Sequence, residues 1–193
     1  MAAAKNSKTK WIVALVLLIL MIVLIFVGYE FVQRKLIYPL KYEETLTKYA
    51  KEYDLDPNFV AAVICTESRF KEKAASGKGA MGLMQIMPDT GKWIAEKLKE
   101  EWAGNESLYE PERNIRYGCW FLRYLQDRYE GDTTLQLAGY NAGMGNVSKW
   151  LSDPQYSPDG KTLSNIPFKE TDNYVKKVTS AHEKYRSLYA LSY

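Results

Sequence analysis

Cysteine is scarce: Cys65 and Cys119 are the only two in 193 residues. Neither sits in a Cys-x-x-Cys or Cys/His pattern, so neither a metal site nor a cofactor is implied. Each falls in a helix-like stretch, where a buried free thiol is the plain expectation. A single disulfide between them outside the cell stays open, because the sequence does not give their separation. A strong charge of either sign is also missing. Lysine and arginine number 26 against 23 acidic residues, a formal net charge of +3. Lys5, Lys8 and Lys10 against Glu30 account for +2 of this in the stretch through Val32, leaving +1 for the remainder. That balance gives no support to nucleic acid or a strongly acidic ligand as partner. Alternation of apolar and polar positions never persists beyond a few residues, and no internal repeat is found, so the expected class is all-α.

What the sequence does have is one long apolar run. Trp11 to Val27 reads WIVALVLLILMIVLIFV without a charge, and Gly28 and Tyr29 extend it before Glu30. At about 1.5 Å per residue, it reaches the short end of what crosses a bilayer as a helix. A signal peptide competes with this reading, since Lys5, Lys8 and Lys10 precede the run as an n-region would. However, the run is longer than a usual h-region, and GYEFVQRK after it offers no small-x-small cleavage site. An uncleaved, single-pass anchor is therefore expected. The expected organisation is a short N-terminus over 1–10, a transmembrane helix over 11–29, a tether over 30–41 and one soluble domain over 42–193. That domain is long enough to bury a core of its own. Basic residues do not orient the span, with Lys5, Lys8 and Lys10 before it and Arg34, Lys35 and Lys41 after it.

Proline and capping residues mark the helices of the domain. Helices are predicted from Tyr42 to Tyr53, from Pro57 behind a capping Asp56 to about Phe70, and from Pro88 to about Glu101. Others follow from Pro111 to about Tyr129, from Asp132–Thr133 to near Asn141, after Gly145, and from Glu170 to about Leu188. Lys71 to Met84 holds Gly77, Gly79 and Gly82, which fits an ordered loop rather than a helix. A polar loop is expected from Ser152 to Pro167. The chain is 13% aromatic with fifteen tyrosines, a composition that suits sugar-stacking surfaces and helix packing alike.

On a helical wheel of the segment from Pro57, the residues Phe59, Val60, Val63, Ile64 and Phe70 gather on one arc, and Glu67 falls in its middle. Such a carboxylate either pairs with a cation or lines a cleft. In a cleft, partial burial raises its pKa toward the range where it can donate a proton near neutrality, as cleavage of a glycosidic bond requires. Periodicity alone leaves both readings open.

Five motifs bear on the choice. They are Glu67-Ser68-Arg69-Phe70, Gly82-Leu83-Met84-Gln85-Ile86-Met87-Pro88, Asn114-Ile115 with Gly118, Tyr140-Asn141-Ala142-Gly143, and Glu170-Thr171 with Tyr174-Val175. In order and spacing they resemble the soluble lytic transglycosylase family, over nearly everything from Tyr42 to Tyr185. The resemblance implies a goose-type-lysozyme-like α fold and cleavage of the β-1,4 bond between N-acetylmuramic acid and N-acetylglucosamine in peptidoglycan without addition of water.

It further implies that Glu67 acts first as general acid and then as base. Ser76, Gln85, Met87, Tyr140, Asn141 and Tyr174 would contact substrate, with Ser68, Gly82, Met84, Phe121 and Glu170 in supporting or structural places. Met84 and Met87 would form an apolar wall or simply pack in the core. The Tyr140 hydroxyl would orient the catalytic carboxyl, and Glu170 would either meet substrate or favour its helix N-terminus. Asn114 would satisfy loop backbone groups and Gly118 would permit close helix packing. Phe121 stands where the family often has tyrosine, which removes a hydroxyl, and Gly139 stands where alanine is more common. Glu72 and Glu170 are the acids whose approach to Glu67 the sequence leaves open. The domain would lie outside the cytoplasm, held to the membrane by its N-terminal helix. Competing functions are a muramidase that hydrolyses the same bond and a non-catalytic peptidoglycan-binding scaffold.

Overall fold

The computed structural model describes residues 2–192, with side chains from Thr9 onward. Helices are α1 (Ala2–Val32), α2 (Glu43–Glu52), α3 (Pro57–Ser68), α4 (Pro88–Leu98), α5 (Pro111–Arg128), α6 (Thr133–Ala142), α7 (Met144–Leu151) and α8 (Lys169–Leu188). A π-helical turn, Gln33–Ile37, continues α1, and a 3-10 helix, Asn105–Tyr109, precedes α5. The described residues form no strand, only isolated bridges from Met81 to Ala75 and to Ile86, and the fold is all-α as expected.

The chain divides after Pro39. In the first part, Thr9–Ile37 has a mean hydropathy of 3.3 over its most apolar window, none of it buried, and is long and apolar enough to cross a membrane. The helix continues beyond Glu30, so most of the segment read as a tether is itself helical.

In the second part α3 is central. It packs most extensively against α8, while α5 packs on α2 and α6, and α6 on α7 and α8. Every residue from Pro57 to Cys65 is buried, so the apolar arc of the wheel is not a face against one neighbour: α3 is apolar all round because it is enclosed all round. Its start follows the expected chemistry. The Asp56 carboxylate accepts the Asn58 amide at 2.8 Å, and its other oxygen lies 2.7 Å from Nε2 of His182 on α8. The Asn58 side chain exchanges two 3.0 Å hydrogen bonds with the backbone of Leu191, tying the C-terminal end of the domain to the same turn.

Burial alone would raise the Asp56 pKa, but bonds from His182 and Asn58 outweigh it and lower the pKa from 3.8. This contribution to stability is present above pH 3.8 and lost as the pH falls below it. Asp56→Ala should cost about 1–2 kcal/mol in urea unfolding near neutral pH, as expected for a lost helix cap. An unchanged midpoint would remove Asp56 from the account of how α3 begins.

Several boundaries differ from the sequence expectation, and α3 ends at Ser68 rather than near Phe70. The fourth helix stops at Leu98, three residues early, because Lys99 turns left-handed with φ +57°. The helix expected after Gly145 starts at Met144, directly behind Gly143 at φ +86°. Cys65 and Cys119 are both buried as thiols, and burial pushes both of them up.

Candidate functional site

Glu67 occupies the last turn of α3, which ends in an uncommon way. Arg69 and Phe70 both adopt left-handed backbone, with φ of +52° and +59°, and neither is glycine. Such conformations cost about 1 kcal/mol each and persist only where surrounding structure holds them. Here the Arg69 amide bonds to the Cys65 carbonyl at 3.0 Å. Phe70 is only 1% exposed, with its ring 6.5 Å from that of Tyr185. The abrupt stop leaves the carboxyl at the negative end of the helix, where an anion is disfavoured.

Burial raises the Glu67 pKa from 4.5 to about 7, and a hydroxyl contact from Tyr174 only partly opposes it. The Tyr174 oxygen approaches the carboxyl but does not reach full hydrogen-bond geometry, and is left buried without a formed bond. Tyr140 also faces this charge: burial and then Glu67 push its hydroxyl well above its ordinary value. The Tyr140 proton, however, is donated to the Met84 carbonyl at 2.8 Å. Through this bond it ties α6 to the 71–87 loop beside Glu67. No carboxylate among the described residues contributes to the Glu67 shift. Glu72 accepts from the Tyr42 hydroxyl at 2.9 Å, and Glu170 pairs with Lys78 at 3.2 Å, both in exposed positions.

The loop after α3 is shaped by its own backbone. Gly82, at φ +80°, lies where a Cβ would stand 2.2 Å from the Leu108 carbonyl oxygen, so no side chain fits. Asn114, fully buried on α5, donates to the carbonyls of Met81 (2.9 Å) and Leu108 (2.7 Å) and accepts the Met84 amide at 2.7 Å. Its amide thus satisfies three backbone groups at once, as the sequence suggested. A Cβ on Gly118 would meet Met84 Sδ at 2.1 Å, so this glycine does permit close packing. Met84 is fully buried and belongs to the core rather than to a cleft wall, whereas Met87 is 42% exposed. Gln85, left-handed at φ +49°, donates its side-chain amide to the carbonyls of Ala74 and Gly82. The exposed Ser76 hydroxyl accepts the amides of Lys78 and Ala80. Both side chains therefore hold the loop in this structure.

The Asn141 side-chain oxygen accepts from the Thr171 hydroxyl at 2.8 Å, joining the ends of α6 and α8. The sequence assigns Thr171 no role beyond its place beside Glu170 in the last motif. Ser68 is buried and its hydroxyl returns to the Ile64 carbonyl, a structural use. Phe121, 8% exposed, packs its ring 5.4 Å from Tyr140. A Cβ at Gly139 would approach Tyr129 to 2.9 Å, so glycine suits the space that Tyr129 leaves.

The arrangement offers one largely buried carboxyl that keeps some access to solvent, able to hold a proton near neutrality and to release it, flanked by two tyrosines. Comparison with known proteins gives a consistent picture. Residues 44–162 match the Transglycosylase SLT domain family. The chain is 34% identical over 151 residues to the soluble lytic murein transglycosylase of Salmonella typhimurium, covering 77% of this chain and 23% of that protein. It is 34% identical over 166 residues to membrane-bound lytic murein transglycosylase C of Actinobacillus pleuropneumoniae, covering 75% and 46%. The crystal structure of an inactive mutant of the lytic transglycosylase Slt from Pseudomonas aeruginosa aligns with a TM-score of 0.69 at 34% identity, over 78% of this chain and 24% of that one. The chain thus spans between about a quarter and a half of the length of these relatives. With its matched segment running from α2 into the loop after α7, the chain belongs to the transglycosylase SLT domain family.

Proposed function

We propose that this chain is a peptidoglycan lytic transglycosylase that cleaves the β-1,4 bond between N-acetylmuramic acid and N-acetylglucosamine without water. The reading is carried by the isolation of Glu67: one enclosed carboxyl with its pKa raised to about 7 and no second carboxylate in its electrostatic surroundings among the described residues. Cleavage with an external nucleophile commonly uses two carboxyl groups, one as acid and one as base or nucleophile. A single group suffices when the nucleophile belongs to the substrate and is held close by its own ring.

In the proposed sequence, protonated Glu67 gives its proton to the glycosidic oxygen as the C1–O bond breaks and positive charge builds on the muramic acid ring. The resulting carboxylate takes the proton of that sugar's C6 hydroxyl while O6 bonds to C1, closing a 1,6-anhydro ring. No atom is added, and Glu67 ends as it began. Tyr174 tunes the carboxyl, and Tyr140, through the Met84 carbonyl, fixes the loop against it. Ser76, Gln85, Met87 and Asn141 supply polar and apolar contacts to the sugars, with Glu170 at the mouth of α8.

The same proposal makes residues 11–29 a single-pass membrane anchor, with the short N-terminus in the cytoplasm and the domain from residue 42 in the wall space, joined through 30–41. An apolar helix and a membrane-bound relative support it. Protease added to wall-stripped cells should digest the domain, and full protection would overturn this topology.

The activity is tested by digesting purified peptidoglycan with the detergent-solubilised chain and weighing the released muropeptides. Products lighter by one water than those of a hydrolase are expected. Full-mass reducing ends would make the protein a muramidase, and no release would leave a binding scaffold.

A further inference from the structure

Beside Tyr140, aromatic rings from α4 and α5 form a continuous cluster. Trp93 of α4 meets three rings of α5 edge-on: Trp120 at 5.2 Å, Tyr124 at 5.0 Å and Phe121 at 6.1 Å. Trp120 and Tyr124, one helical turn apart, stack at 5.5 Å with their planes only 13° from parallel. Phe121 carries the contact on to Tyr140 at 5.4 Å, whose hydroxyl feels the Glu67 charge. The cluster is therefore joined to the candidate active site by ring packing through Phe121. Phe121 is buried, but Trp93, Trp120 and Tyr124 each keep part of their surface in water.

The buried face of α5 is filled by Ile115, Gly118, Cys119, Leu122 and Leu125. Rings locked edge-to-face offer a rigid surface, part apolar and part polar, with little conformational freedom left to lose on binding. The neighbouring charge is mixed: Arg123 is held by Asp54 and Asp127, and on α4 the exposed Lys92 and Lys97 are interspersed with the exposed Asp89 and Glu96, so no single-sign patch is built there to attract phosphate or an anionic lipid. The ligand chemistry that fits is an uncharged polar chain with flat C–H faces, which describes the pyranose rings of a glycan.

We propose that Trp93, Trp120 and Tyr124 form an accessory sugar-stacking subsite that holds the glycan strand beyond the bond cut at Glu67. This deepens, and rests on, the reading of the chain as a glycan-cleaving enzyme. The subsite gives a use to the surface that the two tryptophans keep in water, and it favours long strands over short ones.

The test uses the full chain in detergent. Binding of N-acetylglucosamine hexasaccharide to the Glu67→Gln protein is followed by tryptophan fluorescence, since two of the proposed contacts are the reporters. Trp120→Leu, which keeps apolar bulk but removes the flat ring, should weaken binding about tenfold, and Trp120→Tyr should restore most of it. With Glu67 intact, Trp120→Leu should raise KM on long uncrosslinked strands by a similar factor, with the loss falling on KM rather than kcat. Tyr124→Ala is read in the same way and decides the matter if the Trp120 variants do not fold. Unchanged hexasaccharide affinity and KM in the folded variants would overturn the subsite and reduce the cluster to packing. A wild-type chain that releases no muropeptide would refute the catalytic reading, while the binding titration would still decide the subsite.

Discussion

Replacing Glu67 with glutamine should abolish release of anhydro-muropeptides, by about a thousandfold or more, while leaving the domain folded. Glutamine keeps the shape of the side chain but can neither give up a proton to the glycosidic oxygen nor take one from the C6 hydroxyl. General acid–base steps typically contribute about 10² to 10⁴ each, and here one group serves both. The wild-type rate should follow the protonated fraction. With the pKa at about 7, kcat/KM stays high below that pH and falls about tenfold per unit above it. Tyr174→Phe removes the one contact that opposes the rise, so its alkaline limb should move to higher pH.

The same substitution has a stability signature of definite sign. The Glu67 pKa is raised on folding, from 4.5 to about 7. Between those values the unfolded chain has lost the proton and the folded chain still holds it, so stability declines as pH rises. Glu67→Gln removes the penalty. Its Tm should equal that of wild type below pH 4.5, exceed it progressively up to pH 7, and keep that margin above. A pH-independent difference in Tm would mean that the carboxyl is not enclosed as described. Retention of even a tenth of wild-type activity would displace Glu67 from the mechanism altogether.

Asn114→Leu should be the most damaging substitution outside the catalytic group, costing about 3–5 kcal/mol in denaturant unfolding. Leucine has the same branching and number of heavy atoms as the asparagine side chain and leaves no cavity, so the main cost is that of three buried backbone groups losing their partner: the Met84 amide and the carbonyls of Met81 and Leu108. Each unsatisfied buried group is worth about 1–3 kcal/mol, and partial rearrangement of the loop keeps the total below the simple sum. Activity should fall in the surviving folded fraction too, because the Met84 carbonyl that receives the Tyr140 hydroxyl belongs to the same stretch. A loss under 1 kcal/mol would show that the loop keeps its shape without Asn114.

Much of this molecule is legible from local chemistry. Asp56 before Pro57 caps α3 through the Asn58 amide, and Asp132 caps α6 through the Leu135 amide. Pro88 and Pro111 open their helices at the first position. The apolar run and the odd carboxylate at Glu67 need only a count and a wheel. Helix ends were harder to read: Lys99 and Arg69 stop α4 and α3 in left-handed backbone without a glycine to announce it. The 3-10 turn at Asn105–Tyr109 has no strong periodic signal and is set by its contacts with α4 and α5.

The sequence by itself determined an all-helical domain behind one apolar helix, the starts of its helices and the singular position of Glu67, because caps, prolines and periodicity act over a few residues. Tertiary structure alone decided that the Glu67 carboxyl is buried enough to hold its proton near pH 7, that the Tyr140 proton goes to Met84, that Glu170 faces Lys78 and that both thiols are buried. Each of these depends on desolvation or a partner brought in from a distant part of the chain, and neither distance nor dielectric is written in local sequence.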